Sequence, residues 1–501
     1  MTPEDYLAHD ATGLAALVAA GETTPDALLA AALTLAETRG PAVNALTNLV
    51  PQAARDAIMA GLPRGPLHGV PFLLKDMDAA ALGVPSHDGS RLTRATRHGH
   101  DSELVGRLRR AGLNFFGRTT APEGGIGVTT EAAVYGGPTR NPWDLGRTSG
   151  GSSGGAAAAV AAGITPAAHG SDGGGSVRIP AASCGLVGFK CSRGRLPAGP
   201  TAGEGWGGMA TAGFLTRSVR DQAALLDLVA GPDLGAPYVA PPMEGSFAQA
   251  LARPPRRLRV ALCLTDYEGA PIHPDHRAAV EAAGRLMESL GHAVEEARPD
   301  ADQRAMIRAW SDIVACGTWA WVRAEARAQG LEGDALSLLE PVARGACRHA
   351  MTLSGADYLA ALNHVHAFGR RMAAFYAGGQ AGRETGGGCD VLVSATLAEP
   401  PAEIGRFAHA RPEFEDFLAY RLGEGGCYAY SPFTVAANAA GQPAMSLPLG
   451  TGPAGGMPVG IHISAPAGAD AELMALAGEL EAAAPWADRR APFPFRDGAD
   501  L

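Results

Sequence analysis

Charge, aromatic residues and long apolar runs are all in short supply in this chain of 501 residues. Charged side chains make up 18% and aromatic ones 6%. The 41 basic residues are outnumbered by 51 acidic ones, for a net charge of −10. That excludes the basic face of a nucleic-acid binder. The longest small-apolar run, 156–162, is followed by Gly163 and Pro166, well short of the ~20 apolar residues of a membrane span. The first ten residues carry acids but no lysine or arginine, unlike a secretory signal. The seven cysteines are odd in number and form no C-x-x-C pair. Thiols used as small core residues in a reducing, cytoplasmic compartment are therefore expected. No H-E-x-x-H motif and no zinc-type cysteine spacing occurs, so neither a metal nor a cofactor is expected.

What the chain has in excess is glycine, 67 residues, nearly double the usual share of about 7%. No Gly-X-Y period accompanies it, and 46% of the residues are hydrophobic. Collagen and disorder are both excluded. Helical patterns alternate with short apolar stretches, among them 70–74, 113–116, 164–169, 258–264 and 389–395. This alternation predicts an α/β fold, one large domain whose mixed, largely parallel central sheet is covered by helices on both faces. Four segments are expected: an N-terminal helical part (1–64), a core (65–230), a mostly helical elaboration with some strands (231–430), and a return to the core (431–501). The stretch 141–146 reads as a loop, 436–449 as buried strand, and 378–388 as a glycine-rich loop.

The glycine excess is concentrated at 146–188, with 12 glycines in 43 positions. Two clusters stand there: Gly150-Gly151-Ser152-Ser153-Gly154-Gly155, then Ser171-Asp172-Gly173-Gly174-Gly175-Ser176-Val177-Arg178-Ile179-Pro180. Such runs can be linkers, but these are separated by helix and strand patterns. A phosphate loop would need G-x-x-x-x-G-K-[ST] or G-x-G-x-x-G, and neither fits. Serine hydrolysis remains: converging glycine N–H groups form an anion nest, and a serine at its end is placed to attack a carbonyl. Residues 151–155 also satisfy G-x-S-x-G, which would make Ser153 the nucleophile of an α/β-hydrolase-type esterase. That elbow needs a strand directly before it. His169 and His462 stand in apolar strands and read as structural.

Together with Gly69-Val70-Pro71-Phe72-Leu73-Leu74-Lys75-Asp76 upstream and Gly441-Gln442-Pro443-Ala444-Met445-Ser446 downstream, the two clusters resemble the amidase signature family. Residues 140–143 and 176–181 are similar to its bacterial branch of the 6-aminohexanoate cyclic-dimer hydrolase type. The resemblance implies a serine amidohydrolase that cleaves a linear or cyclic amide, an amino-acid oligomer, an aryl amide or a carbamate through an acyl-enzyme. It implies a triad of Lys75, Ser152 and Ser176, with Ser152 bridging, and an oxyanion hole from the N–H groups of Gly173, Gly174, Gly175 and Ser176. Ser153, Asp172 and Arg178 would support the loops. The family often carries threonine or isoleucine at Gly173, so a less preorganised or wider site is expected here. Gly124, Gly125, Ile126, Cys316 and Trp319 are the expected pocket residues. Trp319 and Trp321 stand two apart on a helix, so at most one should face a pocket. The partner implied is a small-molecule or oligomeric amide, with no nucleic acid or membrane, and a homodimer. The alternative within the same signature is the glutaminase subunit of a tRNA-dependent amidotransferase.

Overall fold

The computed structural model describes residues 1–93, 96–331, 333–378, 388–452 and 456–492. Thirteen strands occur among them: Leu46–Thr47 (β1), Pro71–Lys75 (β2), Asn114–Thr119 (β3), Arg140–Asn141 (β4), Asp144–Thr148 (β5), Ala167–Asp172 (β6), Val187–Lys190 (β7), Thr211–Thr216 (β8), Arg259–Leu262 (β9), Ala293–Glu296 (β10), Val391–Ala395 (β11), Ala444–Thr451 (β12) and Pro458–Ser464 (β13). Eleven of them form one mixed sheet in the order β1-β3-β2-β6-β8-β7-β12-β13-β11-β9-β10. The chain is thus a single α/β domain, as the helix–strand alternation predicts. Its parallel pairs fall in two blocks, β3–β2–β6 and β11–β9–β10. The stretch between them is antiparallel, a feature the alternation alone does not signal.

The middle third supplies β9, β10 and β11 to the sheet, besides the long helices Gln303–Gln329 and Gly355–Ala377. No helix among the described residues is long and apolar enough to cross a membrane. The glycine-rich stretch 379–387 lies outside the described residues.

Three local differences from the sequence reading affect the site. Residues 164–169 were expected as a strand, but β6 starts at Ala167. Pro166 lacks an N–H and stands outside the ladder, and at the other end pairing of Gly170–Asp172 with Thr211–Gly213 carries the strand on to Asp172. Residues 141–146 are not loop throughout: β4 and β5 form a two-stranded hairpin. The 436–449 stretch is not all strand. Thr434–Ala439 is a helix, and Gly441-Gln442-Pro443 separates it from β12.

β2 and β6 pair in parallel, and every residue of both is buried. Two adjacent parallel strands thus end at the same edge, one at Lys75 and one at Asp172. The carboxyl ends of such strands are where open α/β sheets bind ligands. The helix Gly154–Ala161 lies against β2, β3 and β6. Its residues Ala156–Ala159 are fully buried, and side chains no larger than a methyl group let the helix seat closely on the sheet. That seating carries the preceding loop, with Ser152 and Ser153, to the strand ends.

Candidate active site

Lys75 is the last residue of β2 and is fully buried. Its Nζ lies 2.7 Å from Ser152 Oγ and 2.9 Å from Ser171 Oγ. Burial lowers the amine to about 8, offset only in part by the carboxylates of Asp78 and Asp172. The Lys75 backbone is fixed at both ends of the residue: its N–H donates to His169 Nδ1 at 3.3 Å, and its carbonyl accepts from Arg118 Nη1 at 2.8 Å. Arg118 Nη2 donates to the Ala79 carbonyl at 2.8 Å as well, which holds the turn that follows.

Ser171 was not singled out from the sequence. The strand was expected to end at His169, and only its extension puts Ser171 on the ladder. Side chains alternate along a strand, so His169 and Ser171 face Lys75 while Asp172 points the other way. Ser171 Oγ donates to Asp78 Oδ2 at 2.6 Å. His169 is held neutral, lowered to about 3 by burial and by the charges of Lys75 and Arg118.

Asp172 and Arg178 form a buried, two-pronged ion pair. Arg178 Nε and Nη2 donate to the two carboxylate oxygens, each at 2.9 Å. Burial pushes the Asp172 carboxyl up, but the Arg178 charge and hydrogen bonds from Arg178 and Asn438 outweigh it and hold it well below the usual range. Arg178 also donates to the Thr434 carbonyl at 2.8 Å and to Asn438 Oδ1 at 2.7 Å, and its Nη1 lies 2.8 Å from His462 Nε2. Burial, with the Arg178 charge beside it, keeps His462 neutral and accepting. Asp172 in turn accepts from the N–H groups of Gly175 at 2.8 Å and Val177 at 3.2 Å, so the carboxylate clamps the loop from inside.

That clamp corrects one expectation. The Gly175 N–H is spent on Asp172 and is not free for an oxyanion. The N–H groups of Gly173, Gly174 and Ser176 take part in no protein hydrogen bond among the described residues. Gly175 has φ +131°, which disfavours any side chain, and a Cβ there would lie 2.2 Å from Thr434 Oγ1. A Cβ on Gly173 would meet the Trp206 ring at 2.6 Å. The space left by the missing side chain is filled by Trp206, so the loop is packed there and not widened.

Ser176 and Ser152 line one cavity of about 210 Å³, together with Gly124, Gly125, Gly173, Trp206, Thr318 and Trp321. The clusters are tied to each other where the Ser153 N–H donates to the Ser176 carbonyl at 3.1 Å. Ser153 itself is fully buried. Its Oγ is occupied at 3.2 Å by both the carbonyl and the N–H of Ser171, so it fixes the loop and does not face the cavity. The β5 strand ends shortly before this loop but pairs with β4 and, through Arg147, with Glu403, outside the main sheet, so the strand context of a nucleophile elbow is missing.

The expected pocket residues divide. Gly124 and Gly125 line the cavity, and a Cβ on Gly125 would stand 3.6 Å from Ser152 Oγ. Ile126 lines a smaller adjoining cavity of about 30 Å³, with Gly174 and Ser176. Cys316 and Trp319 line neither. Gly317, Thr318 and Trp321 of the same helix face the larger cavity instead, since residues four apart share a helix face. A cleft of about 710 Å³ at the ends of β9 and β10 is larger, but it is lined by neither serine nor lysine.

A model of the amidase family matches residues 27–474. The chain is 36% identical to a 6-aminohexanoate-cyclic-dimer hydrolase of Paenarthrobacter ureafaciens, over 96% of each chain. It is 34% identical to an acylamidase of Rhodococcus erythropolis, over 98% of each. The solved structure of a 6-aminohexanoate cyclic dimer hydrolase complexed with substrate matches with a TM-score of 0.88 at 34% identity, covering 97% of this chain and 99% of that one.

Proposed function

Because the chain belongs to the amidase signature family and is an amidohydrolase acting on carbon–nitrogen bonds, we propose that it works through an acyl-enzyme on Ser176. The observation that carries this reading is the 2.7 Å contact between the buried Lys75 amine and Ser152 Oγ at a cavity that Ser176 also lines. The hydroxyl of Ser171 supports it further. Its proton is committed to Asp78, so toward Lys75 it must accept. A neutral Lys75 therefore donates one N–H to Ser171 and turns its lone pair toward Ser152.

Ser176 Oγ attacks the carbonyl carbon. Its proton passes to Ser152 Oγ, and the Ser152 proton passes to Lys75 Nζ. The carbonyl oxygen becomes an oxyanion and accepts from the N–H groups of Gly173, Gly174 and Ser176. The carbon–nitrogen bond then breaks, and the leaving amine takes back a proton through Ser152. Water repeats the sequence on the resulting ester, releasing the acid and restoring Ser176. Substrates are linear or cyclic amides, among them amino-acid oligomers and acyl amides like those named for the relatives. Aryl amides and carbamates share the same chemistry.

The test is a panel of short aliphatic amides, anilides, cyclic and linear ω-amino-acid oligomers and carbamates, offered to the isolated chain. We expect turnover of at least one amide, lost in Ser176→Ala. Turnover without a partner separates an amidase from the glutaminase subunit of an amidotransferase. Undiminished hydrolysis by Ser176→Ala would overturn the reading.

A further inference from the structure

A small cavity beside Ser176 is lined by a buried cation that no carboxylate among the described residues pairs with. Arg421 lies in the helix Phe417–Leu422 and is 2% exposed. Its guanidinium sits among the rings of Trp310, Tyr428 and Phe417, 4.3, 4.9 and 5.1 Å from their centroids. Nε donates to Ser311 Oγ at 2.7 Å, while the buried Nη2 has no hydrogen-bond partner. The neighbouring acids are engaged elsewhere: Glu415 pairs with Arg344 and Arg348, and Asp416 caps the Ala419 N–H. Arg421 makes no ion pair with a carboxylate among the described residues. Aromatic faces offset part of the cost of burying this charge, but they leave an in-plane N–H unsatisfied.

Arg421 lines the small cavity that also includes Gly174 and Ser176. That space suits a small polar group. Asp78 and Asp88 line the larger cavity, which Ser176 also borders; burial pushes the Asp88 carboxyl up to about 7, and the ionised form of either acid turns an anionic group away. Resting on the amidase reading above, we propose that Arg421 anchors a carboxylate carried by one arm of the amide substrate. The preferred substrates are then amides with a free acid end. A planar guanidinium fork matches a carboxylate, and the pair forms where water is excluded. A neutral ester or amide arm offers Nη2 only an uncharged acceptor, a weaker partner than a carboxylate.

The experiment compares kcat/KM for matched pairs. One set is the 4-nitroanilides of succinic, glutaric, adipic and pimelic monoamides against their methyl esters. The other is hexanoyl-6-aminohexanoate against its methyl ester. In at least one pair the free acid is expected to be preferred roughly 10- to 100-fold, chiefly through KM. Arg421→Met erases that preference, lowering kcat/KM for the free acid far more than for the ester, and Arg421→Lys keeps part of it. No preference in the wild type, or an equal loss for acid and ester in Arg421→Met, overturns the anchor. Binding of the adipic monoanilide to Ser176→Ala by calorimetry is the second readout and needs no turnover. Binding that Arg421→Met abolishes supports the anchor even if no amide is hydrolysed, an outcome that would sink the amidase reading alone.

Discussion

Lys75 and Lys190 end two strands of one sheet, β2 and β7, and both are buried at the last position. Burial lowers both amines, Lys75 to about 8 and Lys190 to about 7. By titration alone Lys190 is the more perturbed of the two. Their partners differ. Lys190 Nζ donates to the carbonyl of the next residue, Cys191, at 2.8 Å, and it lines neither cavity beside Ser176. Lys75 meets two hydroxyls, those of Ser152 and Ser171, and both residues line the cavity that Ser176 also lines. A carbonyl has no proton to give, whereas a serine can pass one on. A lowered lysine can serve as a base only where a proton donor faces it, and on the proposed reading that singles out Lys75.

The first way to break this comparison is to remove each amine. Lys75→Met is expected to lower kcat at least 10³-fold, since a positioned base contributes typically 10²–10⁴ and the relay has no substitute. Steady-state assays beside thermal melting would separate lost chemistry from lost fold. Next in size is Asp172→Asn, which leaves Arg178 buried without its counter-charge and frees the clamp on the Gly173–Ser176 loop. A loss of about 3–5 kcal/mol in stability is expected, read by denaturant unfolding, together with reduced turnover. Ser171→Ala should be milder, roughly 10-fold in kcat, because the amine loses the acceptor that orients it but keeps Ser152. Lys190→Met should leave kcat/KM within about twofold and stability unchanged or up to ~2 kcal/mol higher.

The pH dependence sharpens the same contrast. Lys75 is protonated below about 8, and the charged amine has no lone pair to accept from Ser152. Activity should therefore rise with pH and level off above about 8. Lys190→Met should leave that limb where it is. Stability follows a related sign. Both folded values lie below the 10.5 of a free lysine, so the unfolded chain binds more protons. Each lysine costs stability at neutral pH, and the cost fades as pH climbs from the folded value toward 10.5.

The two serine–glycine clusters and the Lys75 segment each lie within about ten residues, so the resemblance that implies the triad could be seen in the sequence, and the alternating pattern foretold the mixed α/β sheet. Ser171 was missed because β6 ends three residues later than its apolar run, and a strand boundary decides which side chain faces Lys75. Thr434, Asn438 and His462 reach the Asp172–Arg178 pair from some 260–290 residues away, with no local pattern to mark them. Trp321 was passed over for Trp319 because facing a cavity depends on helix phase. The Gly175 N–H counted as free until its acceptor was in view. One usable signal lay in the composition: only two of the 41 basic residues are lysines, and Lys75 is one of them.

The central claim is that neutral Lys75 draws the Ser176 proton through Ser152. It is tested most directly by labelling with phenylmethylsulfonyl fluoride, in which a serine oxygen bonds sulfur and fluoride leaves. Peptide mapping by mass spectrometry identifies the serine, and the labelling rate is followed from pH 6 to 10. The account predicts a label on Ser176, a rate that rises with a midpoint near 8, and near-complete loss of labelling in Lys75→Met but not in Lys190→Met. A label on Ser153, or a rate on Ser176 that Lys75→Met leaves untouched, would contradict it.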